Sequence, residues 1–286
     1  MRTRGFTLLE LLMVMVITGI LAATLTVFLR PAIDSYLDTR RRATLSDMAD
    51  TALRRMSRDI RSAVPNSLRT ATINGNLTPN CFQLVPTTGG GRYRMARDAF
   101  YPLASVSAPL DTTTTTSSFD VFNPMAPNVL VGGADPAWIV INNQNGNDVY
   151  DNLNRGRIAT VVPPPAPGGI TVGQHRVTLQ LATQFSPGYE GGRFAVVSNN
   201  GGNQTVAYSC IGNTLLRGES SFNTGAAAAC AAANQVVATQ VRNCEFNYIP
   251  NQGATQQSGF IQMAITLGDG TENVTLIHGV HVENTP

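Results

Sequence analysis

Few side chains in this 286-residue sequence could do chemistry, and they fall in three places. One carboxylate, Glu10, interrupts an apolar run from Phe6 to Leu29 that follows Arg2 and Arg4. Four cysteines, Cys81, Cys210, Cys230 and Cys244, and three histidines, His175, His278 and His281, lie in the remainder. A carboxylate in a bilayer is unfavourable by about 2.5–3.5 kcal/mol on insertion scales, so Glu10 asks for a cationic partner. Catalytic constellations are missing. All twenty basic residues are arginine, which leaves neither a phosphate-loop lysine nor a Schiff-base lysine. There is no Gly-x-Ser-x-Gly elbow and no His-Glu-x-x-His pair. His278 and His281 are three apart in a candidate strand, so they point to opposite faces and cannot share a metal. Asp269 and Glu272 beside Asn273 supply too few oxygens for calcium and read as a hairpin turn. No enzyme activity, no cofactor and no metal is expected.

The elements that must carry these residues begin with a membrane segment. From Leu11 to Leu29 there are nineteen consecutive uncharged residues, and at about 1.5 Å per residue they approach the roughly 30 Å of a bilayer core. Arg2 and Arg4 place the amino terminus on the cytoplasmic side and everything after Arg30 on the far side. A secretory signal would end at an Ala-x-Ala-like cut, which Arg30-Pro31 does not offer. The rest can form a core, since 43% of the chain is hydrophobic and 13% charged.

Past the membrane the helix continues amphipathically. Met48, Ala52, Met56 and Ile60 recur every four residues, flanked by Leu45, Leu53 and Val64, and this stripe must dock on the soluble part. Asp38 with Arg42, and Asp50 with Arg54, stand at i, i+4 with the acid first. Pro31 predicts a kink or local unwinding, and Val64-Pro65-Asn66 the end of the helix. A net charge of +2 is too balanced for binding nucleic acid by bulk charge. The run Arg40-Arg41-Arg42 has no interleaved aromatics, so no nucleic acid is expected as a partner.

The remainder reads as short strands between polar loops: 81–85, 138–142, 176–181, 193–197, 205–211, 244–248, 259–267 and 273–282. The last two form a hairpin across Gly268-Asp269-Gly270-Thr271, with Ile261, Met263, Ile265 and Leu267 on one face. Residues 112–118, 162–167, 199–204 and 226–233 read as loops. Trp138, in an Ala-Trp-Ile-Val-Ile strand, reads as core rather than as a sugar platform.

The run Arg4-Gly5-Phe6-Thr7-Leu8-Leu9-Glu10, ahead of a long apolar helix, resembles the amino terminus of type IV prepilins and type II secretion pseudopilins. The resemblance implies that prepilin peptidase cuts after Gly5 and methylates the new amino-terminal Phe6, and that Glu10 is the fifth mature residue. Cleavage removes Arg2 and Arg4, so 18 arginines face 18 acids, and the amine of Phe6 becomes the cation that Glu10 needs. In a stack of subunits Glu10 would pair with the Phe6 amine of a neighbour and set the axial register. The implied fold is α+β, the pilin fold: a leader at 1–5, a transmembrane helix at 6–30, its amphipathic continuation at 31–64 and a β-rich periplasmic head at 65–286.

Later segments narrow the resemblance. Residues 55–61 and 64–67, Cys81-Phe82-Gln83-Leu84-Val85 and the tail 278–284 resemble the large O-type minor pilins of mannose-sensitive haemagglutinin pilus systems, a branch related to the J-type pseudopilins. The implied partners are prepilin peptidase, other minor pilins and the major pilin, and the inner-membrane assembly platform. A head of some 220 residues with long loops is a poor repeating unit, which favours rare use at a fibre tip. There the stripe Met48, Ala52, Met56 and Ile60 would also hold neighbouring minor pilins. A J-like pseudopilin and a membrane-anchored adhesin are the alternatives.

A head in the oxidising periplasm is expected to form two disulfides. Four cysteines permit three connectivities, which sequence alone does not choose among. If the strands carrying Cys81 and Cys210 are antiparallel neighbours, Cys81 to Cys210 is favoured, leaving Cys230 to Cys244.

Overall fold

A computed structural model of the chain describes residues 7–103, 105–125, 136–166, 169, 172–187, 191–250, 258–270 and 272–284. Helix α1 spans Leu8–Arg61, 54 residues and about 81 Å. It stays helical through Pro31, where a kink or unwinding was expected. A proline forfeits one backbone bond, and the flanking turns keep theirs. The helix stops at Arg61, short of Val64, because the chain has already joined the head. The Ser62 amide closes the last turn onto Arg58 and Asp59, and the Val64 amide donates to the Val85 carbonyl at 2.8 Å.

Leu45 is the first buried residue of α1. The helix lies on a three-stranded antiparallel sheet of β12 (Val241–Ile249), β13 (Ser258–Asp269) and β14 (Glu272–Glu283). Ile261, Met263, Ile265 and Leu267 alternate onto the buried face, as their period of two requires. The hairpin is tighter than the sequence indicated, since pairing runs on to Asp269 opposite Glu272, with Gly270 at φ +62°. The same core takes in Phe82, Leu84 and Tyr208 from a five-stranded sheet. That sheet comprises β1 (Arg69–Ala71), β2 (Cys81–Leu84), β9 (Thr205–Ile211), β10 (Thr214–Ser220) and β11 (Gln235–Thr239), in the order β1-β2-β9-β10-β11. The class is α+β, a long helix on antiparallel sheets.

Between β2 and β9, which pair directly, the chain makes a second body. Its strands are β3 (Gly89–Arg92), β4 (Thr116–Val121), β5 (Trp138–Ile141), β6 (Arg155–Val162), β7 (His175–Thr183) and β8 (Arg193–Val197), ordered β3-β8-β5-β6-β7-β4. The two edges meet. Tyr93 bridges Val121, the Phe122 amide donates to the Arg92 carbonyl at 2.9 Å, and the Arg94 amide donates to the Asp120 carbonyl at 2.8 Å. The sheet therefore closes into a six-stranded barrel with its own core, including Phe119, Ile139, Ile158, Val177 and Phe194.

Several of these elements run against the sequence reading. Residues 112–118 were expected as loop, yet β4 starts at Thr116 and pairs with β7. Residues 226–233 contain a short helix, α2 (Ala226–Ala231). Strand β3 is Gly-Gly-Gly-Arg, without any strand pattern, because the barrel is tight there. A Cβ on Gly90 would lie 2.7 Å from the Phe194 carbonyl oxygen.

Candidate functional site

Of the residues singled out for processing and assembly, Glu10 sits at the start of α1. Gly5 and Phe6 lie outside the described residues. Thr7 is the helix N-cap, with extended backbone, and its hydroxyl accepts from the Glu10 amide at 3.4 Å. Glu10 is thus the third residue of the helix, where a carboxylate meets the positive end of the helix dipole. Thr-x-x-Glu is the spacing of a capping box, so Thr7 has a role that the sequence reading passed over, although the spacing was legible. No residue from Thr7 to Leu37 is buried, and an 18-residue window of the helix reaches a mean hydropathy of 2.5. Leu8 is 83% and Phe28 75% exposed. A side-chain surface of this kind needs lipid or other apolar helices around it.

The stripe is spent inside the molecule. Ala52, Met56 and Ile60 are 1%, 0% and 1% exposed, and Met48 is half-buried against the same core. This corrects the expectation that these four residues hold neighbouring pilins: docking on the chain's own sheets leaves three of them no surface to offer.

Charged groups lock the helix to the head. Arg42 donates to Glu272 at the hairpin turn through Nε at 2.5 Å and Nη2 at 3.3 Å. It is thereby taken from Asp38, which instead pairs with Arg41 at 3.6 Å. Asp50 and Arg54 do pair, at 2.6 Å. The guanidinium of Arg42 holds the Glu272 carboxyl below its ordinary range. Nearer the end of α1, Asp59 accepts from the Tyr208 hydroxyl at 2.7 Å and from Arg217 Nε at 3.3 Å. Burial, then the Asp59 charge, pushes the Tyr208 hydroxyl well above its usual value.

The segments at 64–67 and 278–284 meet. The Asn66 side chain donates to the carbonyls of Asn143, at 2.8 Å, and Asn284, at 3.0 Å, and so ties the helix exit, the barrel and the carboxyl end together. His278 and His281 face opposite sides of β14, and His281 lies 5.3 Å from the Phe260 ring. His175 accepts from the Met125 amide at 3.3 Å. Trp138 is half-buried. Its Nε1 donates to Asn199 at 3.1 Å, Phe222 meets it edge-on at 5.5 Å, and Arg155 lies 5.2 Å from its ring. These contacts hold the ring against the small core between barrel and helix exit.

Both disulfides form, with a different pairing from the one favoured by the sequence reading: Cys81 to Cys230 and Cys210 to Cys244, with Cα separations of 6.1 and 6.4 Å. The strands β2 and β9 are indeed antiparallel neighbours. Cys81, however, stands opposite Ser209, so Cys210 points to the other face of the sheet. Cys81 therefore faces α2 and joins Cys230, and Cys210 faces β12 and joins Cys244.

Set against known proteins, residues 1–26 match the family model described as the prokaryotic N-terminal methylation motif. No curated protein and no solved structure matches the chain. The motif supports the type IV pilin and pseudopilin superfamily, implies processing by prepilin peptidase and assembly with other pilins, and fits anchoring in the inner membrane through the apolar helix.

Proposed function

We propose that this chain is a minor type IV pilin that primes or caps a pilus at its tip, in a complex with other minor pilins. Its head then lies in the periplasm before assembly, and its place is in the branch resembling the O-type minor pilins. The observation that carries this reading is the barrel inserted between β2 and β9. The chain enters it where α1 ends: the Thr87 amide donates to the Ser62 carbonyl at 2.7 Å and the Thr88 amide to the Val196 carbonyl at 2.8 Å. Membrane segment and barrel are thus at opposite ends of a helix of about 81 Å. A repeating subunit must accept another head on its distal side, and a barrel there obstructs stacking. A tip subunit needs only its near side. Contact with neighbours is left to the exposed part of α1, residues 8 to 44, with Glu10 accepting the Phe6 amine of the adjoining subunit.

Electron microscopy and immunoblotting of a deletion strain test this. Fewer surface fibres are expected, with the major pilin still processed and stable in the membrane. Normal fibres with impaired export of other proteins would favour a J-like pseudopilin, and normal fibres with lost adhesion the adhesin. Stoichiometry comparable to the major pilin would refute tip placement.

A further inference from the structure

Where the barrel meets the end of α1, a cleft of about 320 Å³ opens between Arg61 and Arg193. Its floor is apolar, with Val64, Pro65, Val140 and Ala195, and the one carboxylate that lines it is Glu283. Glu283 reaches Arg193 only at 3.7 Å, and both side chains are open to solvent. Gly89 and Gly90 of β3 form one wall. β3 is the end strand in the sheet order, and closure onto β4 engages it only from Arg92 onward. Among the described residues, therefore, no strand lies beside the edge of the two glycines.

Cations gather here without matching acids. Across β3 and β8, Arg92 stands directly opposite Arg193, and like charges so placed repel. On the exposed face of α1, Arg61 follows Arg58 by three residues and Arg58 follows Arg54 by four, spacings at which like charges also repel. Arg54 pairs with Asp50, whereas Arg58, Arg61 and Arg92 have no ion-pair partner among the described residues. Asp59, the acid next to Arg58 in the chain, is taken by Tyr208 and Arg217.

We propose that this cleft docks an acidic, extended segment of a partner protein. The surplus arginines select an anion. The apolar floor selects one that brings side chains along with its charge, which a free phosphate does not. The open edge of β3 offers main-chain hydrogen bonds to an extended chain, and in such a chain acids at every second position share the face turned to the arginines. A nucleic-acid strand would need aromatic faces for its bases, and the aromatic residue at the cleft, Phe194, is 5% exposed with its side chain in the barrel core. The site lies beyond residues 8 to 44 of α1, so it is a contact separate from the helix stack, and it does not depend on placement at a tip.

The mature full-length chain, held in an uncharged detergent, is titrated by fluorescence anisotropy at low salt against a labelled octapeptide of alternating glutamate and serine. The comparisons are a peptide of the same composition with its glutamates in a block, a lysine and serine octapeptide, a single-stranded oligonucleotide, and inorganic phosphate as a competitor at matched ionic strength. Saturable binding of the alternating peptide is expected, tighter than that of the block peptide, absent for the lysine peptide and weakened by added salt. Arg61→Gln and Arg193→Gln should each weaken it about fivefold or more. Arg40→Gln, at an exposed arginine far along the same helix, should leave it unchanged, and all three variants should keep the melting temperature of the parent. No saturable binding of the alternating peptide overturns the proposal, as does binding that both Arg61→Gln and Arg193→Gln retain. Equal affinity for the block peptide, or an equal loss in Arg40→Gln, assigns the effect to bulk charge and overturns it too. So does displacement by phosphate or preference for the oligonucleotide.

Discussion

Thr7 and Glu10 occupy the first turn of α1, so the group proposed to meet a neighbour's amine also sits on the chain's own helix start. The two roles separate by experiment. Glu10→Ala should impair fibre formation while leaving cleavage after Gly5 intact, since the Thr7 cap does not need the carboxylate. Gly5→Val should block cleavage by adding bulk at the junction. Intact mass from cells with and without the peptidase checks both, and the wild-type mature chain should start at a methylated Phe6. In the head, non-reducing peptide mapping should link Cys81 to Cys230 and Cys210 to Cys244. Cys230→Ser should then cost about 2–5 kcal/mol, as loss of a native disulfide from a secreted domain does. Met56→Ala, at a side chain with no exposure, should cost about 2–5 kcal/mol in chemical denaturation.

For α1 and the β13–β14 hairpin, the apolar stripe supplies the affinity and the Arg42–Glu272 pair helps fix where along the sheet the helix lies. The pair has a pH signature. Arg42 lowers the folded-state value of Glu272 below the ordinary glutamate value of about 4.3, so the stabilisation is present above that value and is lost as pH falls through the lowered one. Melting temperatures of the parent and of Glu272→Gln should differ at neutral pH and low salt, and converge in acid. Arg42 is exposed and the pair is reached by solvent from its side, so added salt should also shrink the difference. A difference that persists in acid would assign the effect of the substitution to packing.

For the whole molecule, the barrel is an insertion whose ends adjoin, since Gly89 pairs with Val196. Replacing residues 89–196 by a short Gly/Ser linker should therefore leave the helix and the two remaining sheets folded, with both disulfides, as mapping and circular dichroism would show. What remains of the small core at the junction, Val64, Val85, Val197 and Phe222, would be uncovered, at about 1.5–3 kcal/mol for each large side chain exposed. A chain that fails to fold after this excision would make the barrel integral to the head. One that folds but no longer supports fibres would tie the barrel to tip function.

The amino-terminal motif, which residues 1–26 match, was legible because it depends on local spacing: Gly5, Phe6, Thr7 and Glu10 fall within six residues of sequence, ahead of a long apolar run. The hairpin at β13 and β14 and the buried stripe were legible for the same reason, since period and burial agree along one element. Pairing across elements was not. The cysteine connectivity turned on a single residue of register between β2 and β9, which reverses the face on which Cys210 stands, and no property of either strand alone carries it. The destiny of the stripe and of Arg42 was decided by which surface packs on the helix, and that surface comes mainly from β13 and β14, some 200 residues further along the chain. The barrel was hidden although β5, β7 and β8 had been read as strands, because closure depends on how β3 and β4 meet, down to the glycines of β3 that let Phe194 approach. The cleft between Arg61 and Arg193 exists only because that closed sheet packs against the end of α1.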